Sequence, residues 1–295
     1  MKSIVRFLAV AALSLVALCS CGDNKNNETV TEQALPGFFA IVDDLSNNAT
    51  AVYSDLSYSV RLNYDKMEAT VQISGLKLPD GTSYPTMTLP GLTWNVDKQG
   101  WRVIKGSAVT PSITGFATTP LFTNFELKLY DRVFDFSGTP IYSPGACVRY
   151  TIDSRYRVLS TFSPQVLYGE TESVSASGKE FESEGVEYVV SYNTDTRKLA
   201  ISMNNARFEQ GMPMALNIDL KNIDVTVTGS SLEFNVPSIT PSIGDIPFTA
   251  FPITNLRGSF APGDGLKFSF HCAPGTTDEE YDVTVDCGFN DLPSL

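Results

Sequence analysis

Apolar and polar residues alternate with a period of two through most of this chain. Ala69, Val71 and Ile73 alternate with Thr70, Gln72 and Ser74, and Leu216, Ile218 and Leu220 do the same against Asn217, Asp219 and Lys221. Leu232 to Val236, Leu266 to Phe270 and Tyr281 to Val285 repeat the pattern. This is the signature of antiparallel strands with one wet face and one buried face. Turn chemistry punctuates them at Pro79-Asp80-Gly81, Asp97 to Gly100, Asn193-Thr194-Asp195 and Pro262 to Gly265. One stretch departs from the pattern. Phe38, Ile41, Val42 and Leu45 sit at helical spacing behind Pro36, so a helix over Gly37 to Leu45 competes there with a strand.

The punctuation also repeats. At a shift of 130 residues Tyr58 to Val60 falls on Tyr188 to Val190, Asn63 on Asn193, Asp65 on Asp195 and Gly81 on Gly211. Val109-Thr-Pro-Ser-Ile113 falls on Ile239-Thr-Pro-Ser-Ile243, and Pro144-Gly145 on Pro274-Gly275. At 131 residues Thr123-Asn124 meets Thr254-Asn255, and Tyr150 meets Tyr281. So long a period does not suit a solenoid and predicts a duplicated domain. About eight short strands per copy must close or stack to hide their edges. The expected architecture is all-β: two tandem, similar antiparallel β-barrel or β-sandwich domains, over residues 34–158 and 159–295.

The N-terminus has a different character. Lys2 and Arg6 precede a 12-residue apolar run from Phe7 to Leu18. A membrane-spanning helix needs about 20 residues, so residues 1–20 read as a secretory signal. Leu18-Cys19-Ser20-Cys21 resembles a bacterial lipobox, a resemblance that implies acylation of Cys21 and cleavage before it. Residues 21–33, polar and Asn-rich, read as a flexible tether. Loss of Lys2 and Arg6 takes the net charge from −12 to −14. Such an acidic chain, without a Lys/Arg cluster, is repelled by phosphate backbones, so nucleic acid is an unsuitable partner. Attachment to a membrane then rests on the acyl chains at Cys21.

With that signal and tether, three stretches carry a broader likeness: Asn217 to Val225, Phe234 to Ile239, and Gly258 to Phe270. Together they resemble the calycin-like β-barrel lipoproteins of Bacteroidales, over most of copy two and more faintly over copy one. The resemblance implies a β-barrel anchored to the outer membrane, on either of its faces, and no catalytic set. The family usually carries one such domain rather than two.

Candidate chemistry is sparse. His271 is the single histidine, and alternation sends it to the solvent face between inward Phe270 and Cys272. No Gly-x-Ser-x-Gly elbow, zinc spacing, phosphate loop or calcium loop occurs, so no cofactor or metal is expected. The carboxylate pairs Asp43-Asp44, Glu182/Glu184 and Glu279-Glu280 read as solvated turn charge rather than a glycosidase pair. Cys272 and Cys287 share the inward phase and could bridge across a tight terminal hairpin. A wide loop over Ala273 to Glu280 would instead set Cys272 against Tyr281, and Cys147 has no counterpart. Tyr84, Trp94 and Trp101 are the candidate ligand-contacting aromatics, although the shared phase of Trp94 with Leu92 and Val96, and the place of Trp101 just after a turn, favour core packing.

The functional expectation is a non-catalytic binding module, lipid-anchored in the bacterial envelope, for a glycan, lipid or protein. A structural or adhesive, pilin-like component is the alternative, and a glycan hydrolase ranks last. Cys21→Ala should abolish acylation and leave the chain unprocessed or soluble. Mass spectrometry of the membrane fraction checks this, and a mature N-terminus without acyl mass would refute the lipobox reading.

Overall fold

The computed structural model describes residues 28–98, 100–116, 119–130, 145–183, 185–273 and 279–288. Cys21, Pro144 and Pro274, each singled out above, lie outside the described residues. The first unit contains β1 (Val30–Asp44), β2 (Ala49–Asn63), β3 (Glu68–Ser74), β4 (Met87–Val96), β5 (Arg102–Val109), β6 (Ser112–Ile113), β7 (Phe122–Tyr130), β8 (Gly145–Ile152) and β9 (Tyr156–Phe162). Each long strand pairs antiparallel with the next along the chain, and β9 pairs back onto β1. The result is a closed eight-stranded up-and-down barrel, a form that satisfies strand edges by closure. Inward side chains such as Phe38, Leu62, Val71, Leu89, Ile104 and Leu127 make one buried cluster. The barrel is filled by side chains, as small eight-stranded barrels can be.

Three expectations need correction here. Gly37 to Leu45 is not a helix: residues through Asp44 belong to β1. Its apolar run is unbroken because both faces are covered, Phe38, Ala40 and Val42 by the barrel interior and Phe39 and Ile41 by the second unit. A strand buried on two sides loses the alternation that identifies strands. Val30 to Gln33, expected in the tether, pair with Asn63 to Val60 because β2 is long enough to offer them a backbone partner. Glu28 anchors this end, 2.7 Å from Lys66 Nζ and accepting from Asn63 Nδ2 at 2.8 Å. At the other end, the first unit runs past residue 158, because β9 continues to Phe162 in register with β1.

The second unit contains β10 (Gln165–Tyr168), β11 (Glu170–Ser175), β12 (Glu180–Ser183), β13 (Glu187–Asn193), β14 (Lys198–Ala206), β15 (Leu216–Asp224), β16 (Thr226–Thr228), β17 (Ser231–Ile239), β18 (Ser242–Ile243), β19 (Ile246–Pro247), β20 (Ile253–Ala261), β21 (Gly265–Cys272) and β22 (Tyr281–Gly288). They form a six-stranded sheet, β10-β13-β14-β15-β18-β19, and a seven-stranded one, β12-β11-β22-β21-β20-β17-β16. The chain bends from one sheet into the other between β10 and β11, around Gly169. There β11 runs against β22 so closely that a Cβ on Gly169 would lie 2.2 Å from the Asp286 carbonyl oxygen.

The two units share a core. Phe39, Ile41, Trp101, Val103 and Cys147 point outward from the barrel and join the cluster that fills the second unit. The Phe39 ring lies 5.7 Å from that of Tyr192 and 6.1 Å from that of Phe260. Ser163 and Tyr192 hold the crossing between units, the Tyr192 N–H donating to Ser163 Oγ at 3.1 Å.

Two substitutions test this packing in urea melts. Gly169→Ala should cost about 1–3 kcal/mol, because only backbone stands in the way of the new methyl group. Trp101→Ala should cost about 3–5 kcal/mol, as for any large core residue. A Trp101→Ala midpoint equal to wild type would mean that the outer wall of the barrel is not part of the core.

Candidate functional site

Because the barrel interior is packed, the outer wall is where a partner can be met. A concavity of about 450 Å³ opens there over β5, β7, β8 and β9. Two cross-strand rows build it. Lys105, Glu126 and Arg149 stand opposite one another on β5, β7 and β8. Thr151, Arg157 and Asp43 form the next row across β8, β9 and β1. Opposite charges at directly facing positions on a sheet attract, and here the pairs are made. Lys105 Nζ is 3.0 Å and Arg149 Nη2 2.6 Å from the Glu126 carboxylate, while Arg157 Nη2 is 2.6 Å from Asp43. Burial pushes the Glu126 pKa up, but the bond from Lys105 and the charges of Arg149, Lys105 and Lys128 outweigh it, so it lies below the usual carboxylate value.

Local irregularity shapes the hollow. Between Thr123 and Glu126 the β7–β8 register shifts at a bulge, with Asn124 at φ 53°. Bulges bend a strand and re-aim its side chains. A Cβ on Gly229, in the β16–β17 turn of the second unit, would lie 4.0 Å from Arg157 Nη2, so that turn stands beside the hollow. The arrangement can orient a polar or charged ligand. It contains no histidine or thiol to act as a base or nucleophile: the lining is Lys105 to Ser107, Asn124 to Glu126, Arg149 to Thr151 and Arg157 to Leu159.

Of the residues singled out from sequence, Asp43 stands in these rows and the others lie elsewhere. Trp94 is inside the barrel, 5 % exposed, donating from Nε1 to the Asn63 carbonyl at 3.1 Å. Trp101 is buried against the second unit with its ring 5.0 Å from Tyr130. Tyr84 is half-buried and packs on Phe116 at 5.1 Å. His271 is on the outer face of β21, its Nδ1 2.7 Å from Asp282 Oδ1 on β22. Asp43 and Asp44 are not solvated turn charge but buried at the end of β1. Asp44 receives Arg155 through Nε at 3.0 Å and Nη2 at 2.7 Å. The bridge between Cys272 and Cys287 is not formed. The wide loop sets Cys272 opposite Tyr281 and Cys287 opposite Leu266, which carries the two thiols to different rungs of the hairpin. Burial pushes the Cys147 and Cys272 thiols up to about 12.

Lys105, Glu126, Arg149 and Arg157 were not singled out from sequence. Each occupies an outward phase, but they are up to 52 residues apart, and only the strand order makes them neighbours.

No protein-family model matches the chain, and no curated protein sequence matches it. Among solved structures, a "putative outer membrane protein" from Bacteroides fragilis NCTC 9343 is similar over 86 % of this chain and 96 % of its own, with 13 % identity and a TM-score of 0.33. At that level the likeness carries no argument about this chain.

Two measurements follow from the site electrostatics. The Arg155 hydrogen bonds hold the Asp44 carboxyl well below the usual carboxylate range. A folded pKa below the unfolded one gives stability that is full above about pH 4 and is lost as pH falls further. Asp44→Asn should therefore be less stable than wild type at pH 7, with the gap closing as acid melts approach pH 2; a gap independent of pH would contradict the ion pair's role. Cys147 and Cys272 should resist iodoacetamide at pH 8 in the folded protein and react on unfolding. Non-reducing peptide maps should recover thiols, not a bridge, at 272 and 287.

Proposed function

We propose that this chain is a lipid-anchored, non-catalytic binding protein of the bacterial envelope, built from a duplicated calycin-like β-barrel. The lipobox-like Leu18 to Cys21 supports the anchor and the location. Repeated detail supports the duplication. Asn63 and Asn193 each accept, through Oδ1, the N–H groups two and three residues on. Met67 and Arg197, 130 residues apart, close those turns at φ 54° and 56°. Asn124 and Asn255 both sit at φ 53° in bulged strands. At one end of each unit a tyrosine opening a strand donates to a loop carboxylate: Tyr156 to Asp80 at 2.5 Å, and Tyr281 to Glu209 at 3.0 Å. The fixed shift lapses late in each unit: Tyr281 opens β22 as Tyr156, not Tyr150, opens β9, because β8 and β9 are joined tightly but β21 and β22 by the wide loop.

The observation that carries the binding reading is the outer-wall concavity beside a filled barrel. A calycin-type barrel that holds a ligand keeps its lumen open; here side chains occupy it. Recognition is then a surface property, and the positioned groups at that surface are ion-paired rather than arranged as nucleophile and base. A pilin-like chain would carry an arginine processing site in an early exposed loop, and that alternative draws less support because Arg61, the early arginine after the tether, lies within β2 opposite Glu32.

The test is a panel of glycans, lipids and envelope extracts presented to the mature chain, with product analysis alongside binding. Retention of at least one ligand without turnover is expected, unchanged in His271→Ala. Turnover of any panel member that is lost in His271→Ala would overturn the non-catalytic reading, and retention of none would overturn the binding reading.

A further inference from the structure

We infer that the outer-wall concavity is a binding site for a short acidic saccharide, held through its anionic group by Arg149 and Arg157. This rests on the binding reading above and names the ligand class for that site.

The first observation is charge. The lining holds Lys105, Arg149 and Arg157 with Glu126, and Asp43 pairs with Arg157 from the same row, so three cations face two carboxylates in a chain of net charge −12. A cationic hollow on an acidic protein focuses a local field that reaches only about 8–10 Å at physiological salt. A long polyanion would meet the acidic remainder of the surface, whereas a short anion would meet the hollow alone.

The second is geometry. Arg149 faces Leu159 and Arg157 faces Thr151 across the β8–β9 pair, so the two arginines are diagonal neighbours on one face. Such diagonal positions lie about 7–8 Å apart, within reach of long side chains. In their ion pairs with Glu126 and Asp43 each arginine approaches the carboxylate through Nη2. A guanidinium carries five N–H donors in a fixed fork, more than one carboxylate can accept, so each arginine keeps donors for a ligand oxyanion. Side-chain exposures of 55 % and 44 % leave both arginines accessible.

The third is the company these cations keep. Ser107, Asn124 and Thr151 line the same hollow and offer neutral hydrogen-bonding groups of the kind that recognise sugar hydroxyls. Its volume of about 450 Å³ falls within the range of small-ligand sites, about 300–1,000 Å³. Most of the surface of the hollow is carbon, with cations and neutral donors set in it, which suits a sugar ring carrying an anionic group better than a bare ion.

The experiment is calorimetric titration of the mature chain with digalacturonate, glucose 6-phosphate and lactose. Binding of either acidic sugar with no binding of lactose is expected, and the tighter of the two identifies carboxylate or phosphate as the recognised group. Arg149→Gln combined with Arg157→Gln should weaken that binding by about tenfold or more, since charge-assisted bonds are lost at both ends. Raising NaCl from 0.05 to 0.5 M should weaken wild-type binding several-fold, a readout that needs no variant. Absence of binding by both acidic sugars, equal binding of lactose, or indifference to salt and to the double substitution would each overturn the assignment. Retention of some other panel ligand in those cases would leave the binding reading standing, so the two fail separately.

Discussion

Burial of β1 on both of its faces is the constraint on which the rest of the molecule depends. Phe38, Ala40 and Val42 complete the barrel interior, while Phe39 and Ile41 extend the same strand into the core of the second unit. Each large apolar side chain taken fully out of water contributes about 1.5–3 kcal/mol. A barrel alone would have to present Phe39, Ile41, Trp101 and Val103 to solvent, so the two units stabilise each other through a common core. Cys147 belongs to this surface too: a Cβ on Gly263, in the β20–β21 turn, would lie 2.6 Å from its sulfur.

That division of the outer wall also places the candidate site. Strands β5, β7 and β8 carry Val103, Tyr130 and Cys147 outward at one end and Lys105, Glu126 and Arg149 further along. The apolar end is covered; the charged end, from Lys105 through Arg149 to Arg157, stays open and forms the hollow. Position along a strand thus separates packing from recognition on one continuous sheet. Cross-strand register does the remaining work, since facing positions turn separate charges into the Lys105–Glu126–Arg149 row.

The ends of the two units handle buried polar groups differently. In the first, buried Asp44 is neutralised by Arg155, and exposed Asp80, 4.0 Å from the same arginine, accepts from Tyr156. In the second, Glu280 precedes Tyr281 where Arg155 precedes Tyr156, and among the described residues buried Glu209 accepts from Tyr281 but forms no ion pair. Buried carboxylates left without a cation are a cost to stability. Under the proposed duplication, the copies have kept the tyrosine–carboxylate bond and diverged in the charge that balances it.

Much of this architecture was legible from residues alone. Strands with one wet face, such as β3 and β14, declare themselves because solvent on one side imposes a period of two. The turns after Asn63 and Asn193 are equally visible, since a side chain that caps its own turn is a local matter. The apolar run of β1 could not be read that way, because its second covering surface comes from strands more than a hundred residues distant. The register of the β21–β22 hairpin, which keeps Cys272 and Cys287 apart, depended on a loop length that alternation does not encode. The hollow was hidden for the same reason: each of its charges is an unremarkable outward residue until strand order sets it beside the others. Local periodicity and turn chemistry are written in the chain itself; which surfaces meet, and so where charges converge, is decided only when the barrel closes and its wall packs on the second unit.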